Sequence, residues 1–276
     1  MSDLSSRPAT PEDARAILAI VTARDIEDLG FPDYALEDVQ EELADSRDAC
    51  VVLDGSELVA FAMLEDHDAR VAVHPDACGR GIGSGLLRWA EERGARRQPV
   101  FGSNDAARRL LERAGWTATQ HYWRMALDLS RAADATSWPE GFSARAFRPD
   151  DGPTAWALIE RTVRAGPGFS PRPWRDRYAA DLSTVVLAPS LVGVALCERW
   201  DEEGKGYVSY LAVSDEHRGR GLGRALLLES FAKMRAAGLA TVELSVNGEN
   251  ESATRLYTSV GMEVASHADR YDRGIT

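Results

Sequence analysis

The 276-residue sequence predicts an α/β fold written twice in one chain. Three observations lead to it. Segments recur in the same order, so that Arg7, Pro11 and Asp13 return as Arg145, Pro149 and Asp151, Gly81 as Gly221, and "NDAARRLLERAGW" from Asn104 as "NESATRLYTSVGM" from Asn250. β-Branched runs bounded by turn residues alternate with segments of helical period. Each copy also sets a glycine-rich loop between a strand and a helix, "CGRGIGSG" from Cys78 and "RGRGLGRA" from Arg218. A kept order with small drifts in spacing marks a duplicated unit, because loops absorb insertions.

Within each copy a short strand comes first. Thr10-Pro11-Glu12-Asp13 then starts a helix: the threonine can cap, the proline suits the first turn, and the acids meet the positive end of the helix dipole. Arg148-Pro149-Asp150-Asp151 does the same job in the second copy. A hairpin follows, "ACVVL", "DGS", "ELVAFAML" in the first copy and "TVVLA", "PS", "LVGVALCERW" in the second. The next strand, "ARVAV" (69–73) or "YVSYLAV" (207–213), runs straight into the glycine loop. After the second loop, Leu222, Ala225, Leu226, Glu229, Ala232 and Met234 keep a helical period, and Gly238 suits the C-cap. Then come the strand "TVELSV", a helix from Asn250 to about Val260 capped by Gly261, and terminal strands. "QPVFGS" is the shorter counterpart of "TVELSV" in the first copy. The stretch "SRAADATSWPEGF" (130–142) lacks periodicity and carries Pro and Gly, which divides the chain into domains 1–133 and 141–276.

A formal net charge of −12, with no basic stripe, argues against a nucleic-acid partner. An acidic surface suits a cationic substrate, and it equally suits solubility alone. No apolar run reaches membrane-spanning length, and the N-terminal segment lacks the basic and apolar regions of a secretory signal. The three cysteines, Cys50, Cys78 and Cys197, are odd in number and far apart, which points to a reducing, cytoplasmic setting and to no metal cluster.

A Walker loop needs Gly-Lys-Ser/Thr at its end, and neither glycine loop has it. The dinucleotide fingerprint fails at Arg224 counted from Gly219, and at Ser84 counted from Gly79. What remains is an anion nest, in which glycines turn successive N–H groups inward and the helix N-terminus adds free donors. A tight turn that binds nothing is the plain alternative.

Arg218-Gly219-Arg220-Gly221-Leu222-Gly223, preceded by "YVSYLAV" and followed by "NGENESATRLYTSVGM", resembles the GNAT (GCN5-related) N-acetyltransferase family. The likeness runs from Phe142 to the last residues. It implies tandem domains, each a mixed, mostly antiparallel sheet flanked by helices. It implies acetyl-CoA as the acyl donor and no metal. The pyrophosphate falls to Arg218, Gly219, Arg220, Gly221, Leu222, Gly223 and Arg224. Backbone groups of Leu211, Ala212 and Val213 serve the pantetheine arm and the thioester, with Asn250 near the arm. Tyr257 matches a tyrosine that protonates the departing thiolate, and a packing aromatic is its plain alternative. A fixed N–H at the oxyanion and a positioned acid are groups that lower an acyl-transfer barrier. The likeness gives the CoA role in the first copy to Val71, Val73, Gly79, Arg80, Gly81, Ile82, Gly83 and Ser84. There Cys78 replaces the leading Gln or Arg, and Leu111 stands in the place of Tyr257. The first copy is therefore expected not to be catalytic.

The implied reaction moves acetyl directly to a primary amine of a small molecule, both reactants held in line. Many relatives place a base glutamate where Tyr207 stands. Glu243 is a substitute, a water chain is another, and an ordinary outward-facing strand carboxylate is the plain alternative for Glu243. The acidic stretch "RDIEDLGFPDYALEDVQEELAD" offers a groove for a cationic amine or a merely solvated face. "RAGPGFSPRPWRDRYAADL", with Phe169, Trp174 and Tyr178, suggests an aromatic lip over the acceptor, or else a loop that simply packs over the core. The tandem plan is similar to the mycothiol synthase branch of the family. Two other readings stay open: a non-catalytic acyl-CoA sensor or interaction module, and acetylation of a protein amine. Two copies packed as a pseudo-dimer are expected to make a monomer.

Overall fold

In the computed structural model, the described residues are 4–32, 34–134, 138–162, 178–200 and 204–274. They fall into two compact units, Met1–His121 with Ser266–Thr276, and Tyr122–Ala265. The chain runs through β1 (Leu4–Pro8), α1 (Ala14–Leu29), α2 (Leu36–Asp45), β2 (Asp48–Asp54), β3 (Glu57–Glu65), β4 (Asp68–Val73), α3 (Ile82–Glu92), β5 (Arg97–Phe101) and α4 (Asp105–Arg113). It continues with β6 (Thr117–Asp128), β7 (Ser143–Ala146), α5 (Gly152–Thr162), β8 (Thr184–Leu187), β9 (Leu191–Trp200) and β10 (Lys205–Val213). α6 (Leu222–Ala236), β11 (Thr241–Asn247), α7 (Glu251–Ser259) and β12 (Glu263–Asp272) complete it.

The strand order is β1-β2-β3-β4-β5-β12 in the first unit and β6-β11-β10-β9-β8-β7 in the second. Within these units β4 with β5 and β10 with β11 run parallel, and the other pairings among the described residues are antiparallel. The repeat in sequence and the units in space therefore part at different places. β6 ends the first copy, yet it pairs with β11 from Thr241 opposite Asp128 to Asn247 opposite Tyr122. β12 ends the second copy, yet its last residues pair with β5. Each copy's sheet is completed by the final strand of the other copy. Alternating hydrophobicity fixes which face of a strand is buried, not which edge it joins.

The recurring Arg and Asp residues of the two copies make the same clamp. Asp13 accepts two guanidinium bonds from Arg7, both at 2.7 Å, and the Thr10 N–H at 2.8 Å. Asp151 does likewise with Arg145 at 2.6 and 2.7 Å and the Arg148 N–H at 2.8 Å. Each clamp closes a 3-10 turn, Pro11–Asp13 or Pro149–Asp151, ahead of α1 or α5. Thr10 stands at the N-cap of the first turn, as expected, and its hydroxyl also donates to the Asp13 carboxylate at 3.1 Å. The Arg7 guanidinium holds the Asp13 carboxyl down at about 2.

In the second unit, α6 packs Leu227, Leu228, Phe231 and Met234 on Val208, Val242 and Leu244. α5 packs Leu158 and Ile159 on the opposite face, against Leu196 and Ala212. Among the described residues, no helix is long and apolar enough to cross a membrane.

Candidate active site

β10 lies antiparallel to β9 along its full length, but it pairs with β11 only at Lys205, Gly206 and Tyr207. Past Tyr207 the parallel strands diverge, and the edge that carries Leu211, Ala212 and Val213 has no β11 partner. Sheets rarely leave backbone donors and acceptors unpaired. An opening of this kind suits an extended, amide-bearing ligand that takes the place of a strand. A bulge between Val208 and Tyr210 bends β10 at the opening. In the first unit β4, with Val71 and Val73, parts from β5 sooner, pairing only at Asp68 and Arg97.

The glycine loop stands at the end of β10. Gly219 and Gly221 have φ of 73° and 81°, a left-handed backbone that costs glycine nothing. A Cβ on Gly219 would meet nothing within 4 Å, so conformation and not space demands glycine there. Ala225 makes the first helical bond of α6, to the Gly221 carbonyl at 3.0 Å. The N–H groups of Leu222, Gly223 and Arg224 thus have no acceptor inside the helix. Gly79 and Gly81 repeat the geometry, both at φ 79°, and lead through Ile82, Gly83 and Ser84 into α3.

The arginines expected at the phosphates differ in their ties. Arg218 is paired with Asp215 at 3.0 Å. Arg224 donates to the carbonyl and hydroxyl of Ser259 at 2.9 and 3.0 Å, which fastens α6 to the end of α7. Arg220 lies 5.9 Å from the Phe142 ring and has no ion pair among the described residues. Its counterpart Arg80 is paired with Asp54 at 2.8 Å.

Tyr257, on α7, is 9% exposed and sits with Leu244 and Val246. Burial, with a smaller contribution from Tyr207, pushes its hydroxyl up to about 12, so it holds its proton at neutral pH. Leu111 occupies the matching place on α4 and is packed with Leu87, Val100 and Trp116. Asn250 caps α7, its Oδ1 accepting the Ala253 N–H and the Ser252 hydroxyl, both at 3.1 Å. Its amide N–H groups have no partner among the described residues. Asn104 caps α4 in the same way, but its amide donates to Asp28 at the end of α1 at 3.0 Å.

The other face of β10 and β11 is polar at this point. Trp200 and Tyr207 stack at 4.9 Å and 11°, and the Tyr207 hydroxyl donates to Ser245 at 2.9 Å. Arg124 donates to Glu243 at 2.6 Å, and Lys205 lies 3.3 Å from the other carboxylate oxygen. Glu243 is thus held by two cations at 5% exposure, which corrects the expectation that it could serve as a base. Arg124 comes from β6, so the pairing depends on the strand exchange, for which the sequence carries no signal. Ser209, at the bulge, donates to Glu198 at 2.7 Å. In the acidic stretch, Glu42 turns inward to Arg70 and the Tyr34 hydroxyl. Of the aromatic lip, Phe169 and Trp174 lie outside the described residues, and Tyr178 is buried 6.1 Å from the Tyr210 ring. No group of three metal-ligating side chains comes together among the described residues.

The profile of the acetyltransferase (GNAT) family matches residues 17–116 and again 138–262. The chain belongs to the GNAT acetyltransferase family. It is a tandem GNAT acyltransferase, and acetyl-CoA is the donor that this family uses. A mycothiol acetyltransferase of Thermobispora bispora is 34% identical over 237 residues, covering 76% of this chain and 78% of that protein. One of Sanguibacter keddieii is 28% identical over 303 residues, covering 96% and 94%. Among solved structures, a GCN5-related N-acetyltransferase from Sphaerobacter thermophilus has a TM-score of 0.76 at 27% identity, covering 99% of this chain and 97% of that one. A tandem GNAT protein of the clavulanic acid biosynthesis pathway shares the fold, with a TM-score of 0.75 at 18% identity over 99% of this chain and 100% of that one.

Proposed function

We propose that the second copy, completed by β6, transfers acetyl from acetyl-CoA directly to a primary amine of a small molecule. The observation that carries this reading is the opening between β10 and β11, with the glycine loop at its end and a buried, protonated Tyr257 in the core beneath the sheet. The free edge of Leu211, Ala212 and Val213 pairs with the pantetheine amides and aims an N–H at the thioester oxygen, where a fixed donor favours the developing charge. Gly219, Gly221, Leu222 and Gly223 offer N–H groups to the pyrophosphate at the positive end of α6. Arg218 and Arg220 add charge there, Arg224 steadies α6, and the spare amide of Asn250 reaches the arm. Tyr257 gives its proton to the departing sulfur. Holding amine and thioester together removes the entropic cost of their encounter.

The first copy acts as a scaffold in this reading. Its loop keeps the geometry, but Leu111 has no proton to give. The relatives named mycothiol acetyltransferases support a small-molecule acceptor. The cysteinyl amine of a mycothiol precursor is the most specific form of the reading, and Tyr207 in place of a glutamate sets this chain apart from it. The test follows thiol release from acetyl-CoA with glucosamine, spermidine and S-methylcysteine amide as acceptors. Tyr257→Phe should lower turnover by about 10² or more while acetyl-CoA affinity stays unchanged. Undiminished turnover would remove Tyr257 from the chemistry.

A further inference from the structure

The two copies share a glycine loop, yet the first meets its own side chains where the second offers groups to a ligand. We infer that Asp28 of α1 straps the first copy's cleft shut against acetyl-CoA; this rests on the proposed seat of acetyl-CoA in the second copy.

The cleft is the parting of β4 and β5 beyond their pairing at Asp68 and Arg97. α1 lies over β4, packing Ile17, Ile20 and Val21 with Phe61, Met63 and Ala72. Ser103 and Asn104 stand across the parting, between the end of β5 and the start of α4. Asp28, in the last turn of α1, ties the two sides together. Its carboxylate accepts the Asn104 amide at 3.0 Å, and its carbonyl accepts the Ser103 hydroxyl at 2.7 Å. The Arg24 guanidinium, one turn earlier, holds the same carboxylate, and the Asp28 side chain is 6% exposed.

The Asn104 amide is the counterpart of the Asn250 amide that serves the arm of the donor in the second copy. Two further places agree. Arg80, the counterpart of Arg220, is drawn to Asp54 at 2.8 Å. Arg70 stands three positions before Val73, as Tyr210 stands before Val213, and it pairs with Glu42 of α2 and lies 4.0 Å over the Tyr34 ring. Phosphate cation, arm amide and the strand face beneath α2 are each met by a group of the same chain.

The strap belongs to the first copy alone. α5 repeats α1 at an offset of 138, with Ala155, Leu158 and Ile159 buried in the places of Ile17, Ile20 and Val21. The same offset puts Gly166 in the place of Asp28, so the second copy's sequence carries no carboxylate there.

Bonds to an ionised carboxylate are among the stronger hydrogen bonds, and acetyl-CoA has to break them to enter. A ligand's apparent affinity falls by the fraction of molecules that are open, so the first cleft should bind acetyl-CoA about 10²-fold more weakly than the second.

Isothermal titration of the full chain with acetyl-CoA counts the sites. The wild type should show one, lost in Gly221→Val. Asp28→Ala combined with Ser103→Ala releases the strap and should add a second site, lost in Gly81→Val. Hydrogen exchange on the wild type needs no variant: saturating acetyl-CoA should protect the amides of 211–213 and 222–224 and leave those of 71–73 and 82–84 unchanged. Two equal sites in the wild type, or equal protection of both loops, would overturn the strap. So would a released variant that keeps the wild-type melting temperature and still binds one equivalent. A wild type that binds nothing, beside a released variant with one site lost in Gly81→Val, would spare the strap and overturn the reading of the second copy. No binding by either would overturn both.

Discussion

Tyr257 and Glu243 show how burial sorts ionisable groups that look alike on paper. The tyrosine is buried among aliphatic side chains, which raises its hydroxyl to about 12 and keeps it an acid. The account therefore expects no alkaline loss of kcat from this group below about pH 10. A pH profile of thiol release checks it, and an alkaline limb that vanishes in Tyr257→Phe would contradict it. The glutamate is buried between two cations and is spoken for. The place of the tyrosine on α7 was legible because that helix is matched between the two copies. The state of Glu243 was not, because Arg124 reaches it from a strand more than a hundred positions earlier.

Elements were read more fully than contacts. Hairpins, glycine loops and the helices opened by Asn104 and Asn250 all follow from turn chemistry and period. The bulge at Ser209 was missed, although "YVSYLAV" exceeds "ARVAV" by two residues and so carried a signal. The helix-start clamps show what the repeated Arg and Asp residues do. The Asp13 carboxyl is depressed in the folded state, so its contribution to stability is present above the ordinary carboxylate range. That contribution is lost as pH falls through about 2, and Asp151 is lowered in the same direction by Arg145. Asp13→Ala should cost about 1–3 kcal/mol at neutral pH and much less in acid, measured by urea unfolding at the two conditions. An equal cost at both would show that the clamp does not depend on its charge.

At the scale of the whole molecule, the strand exchange ties the copies' folding together. Met125, Leu127 and Leu129 belong to the core beneath α6, although they stand in the first copy by sequence. A fragment cut at the repeat boundary, 141–276, would leave that core open and β11 with a bare edge. Expressed alone it should lack a cooperative thermal transition, and co-expression with 1–133 should restore one. A sharply melting 141–276 fragment would show that β6 is dispensable.

The central claim is that acetyl transfer belongs to the opening beside the second glycine loop. Both loops need left-handed glycine, and a β-branched residue there is strained in either. Gly221→Val and Gly81→Val are therefore a matched pair, compared by thiol release from acetyl-CoA with the best acceptor amine and by melting temperature as a control for folding. The account predicts that Gly221→Val abolishes transfer while Gly81→Val retains it, with both variants folded. Transfer lost in Gly81→Val and kept in Gly221→Val would contradict it.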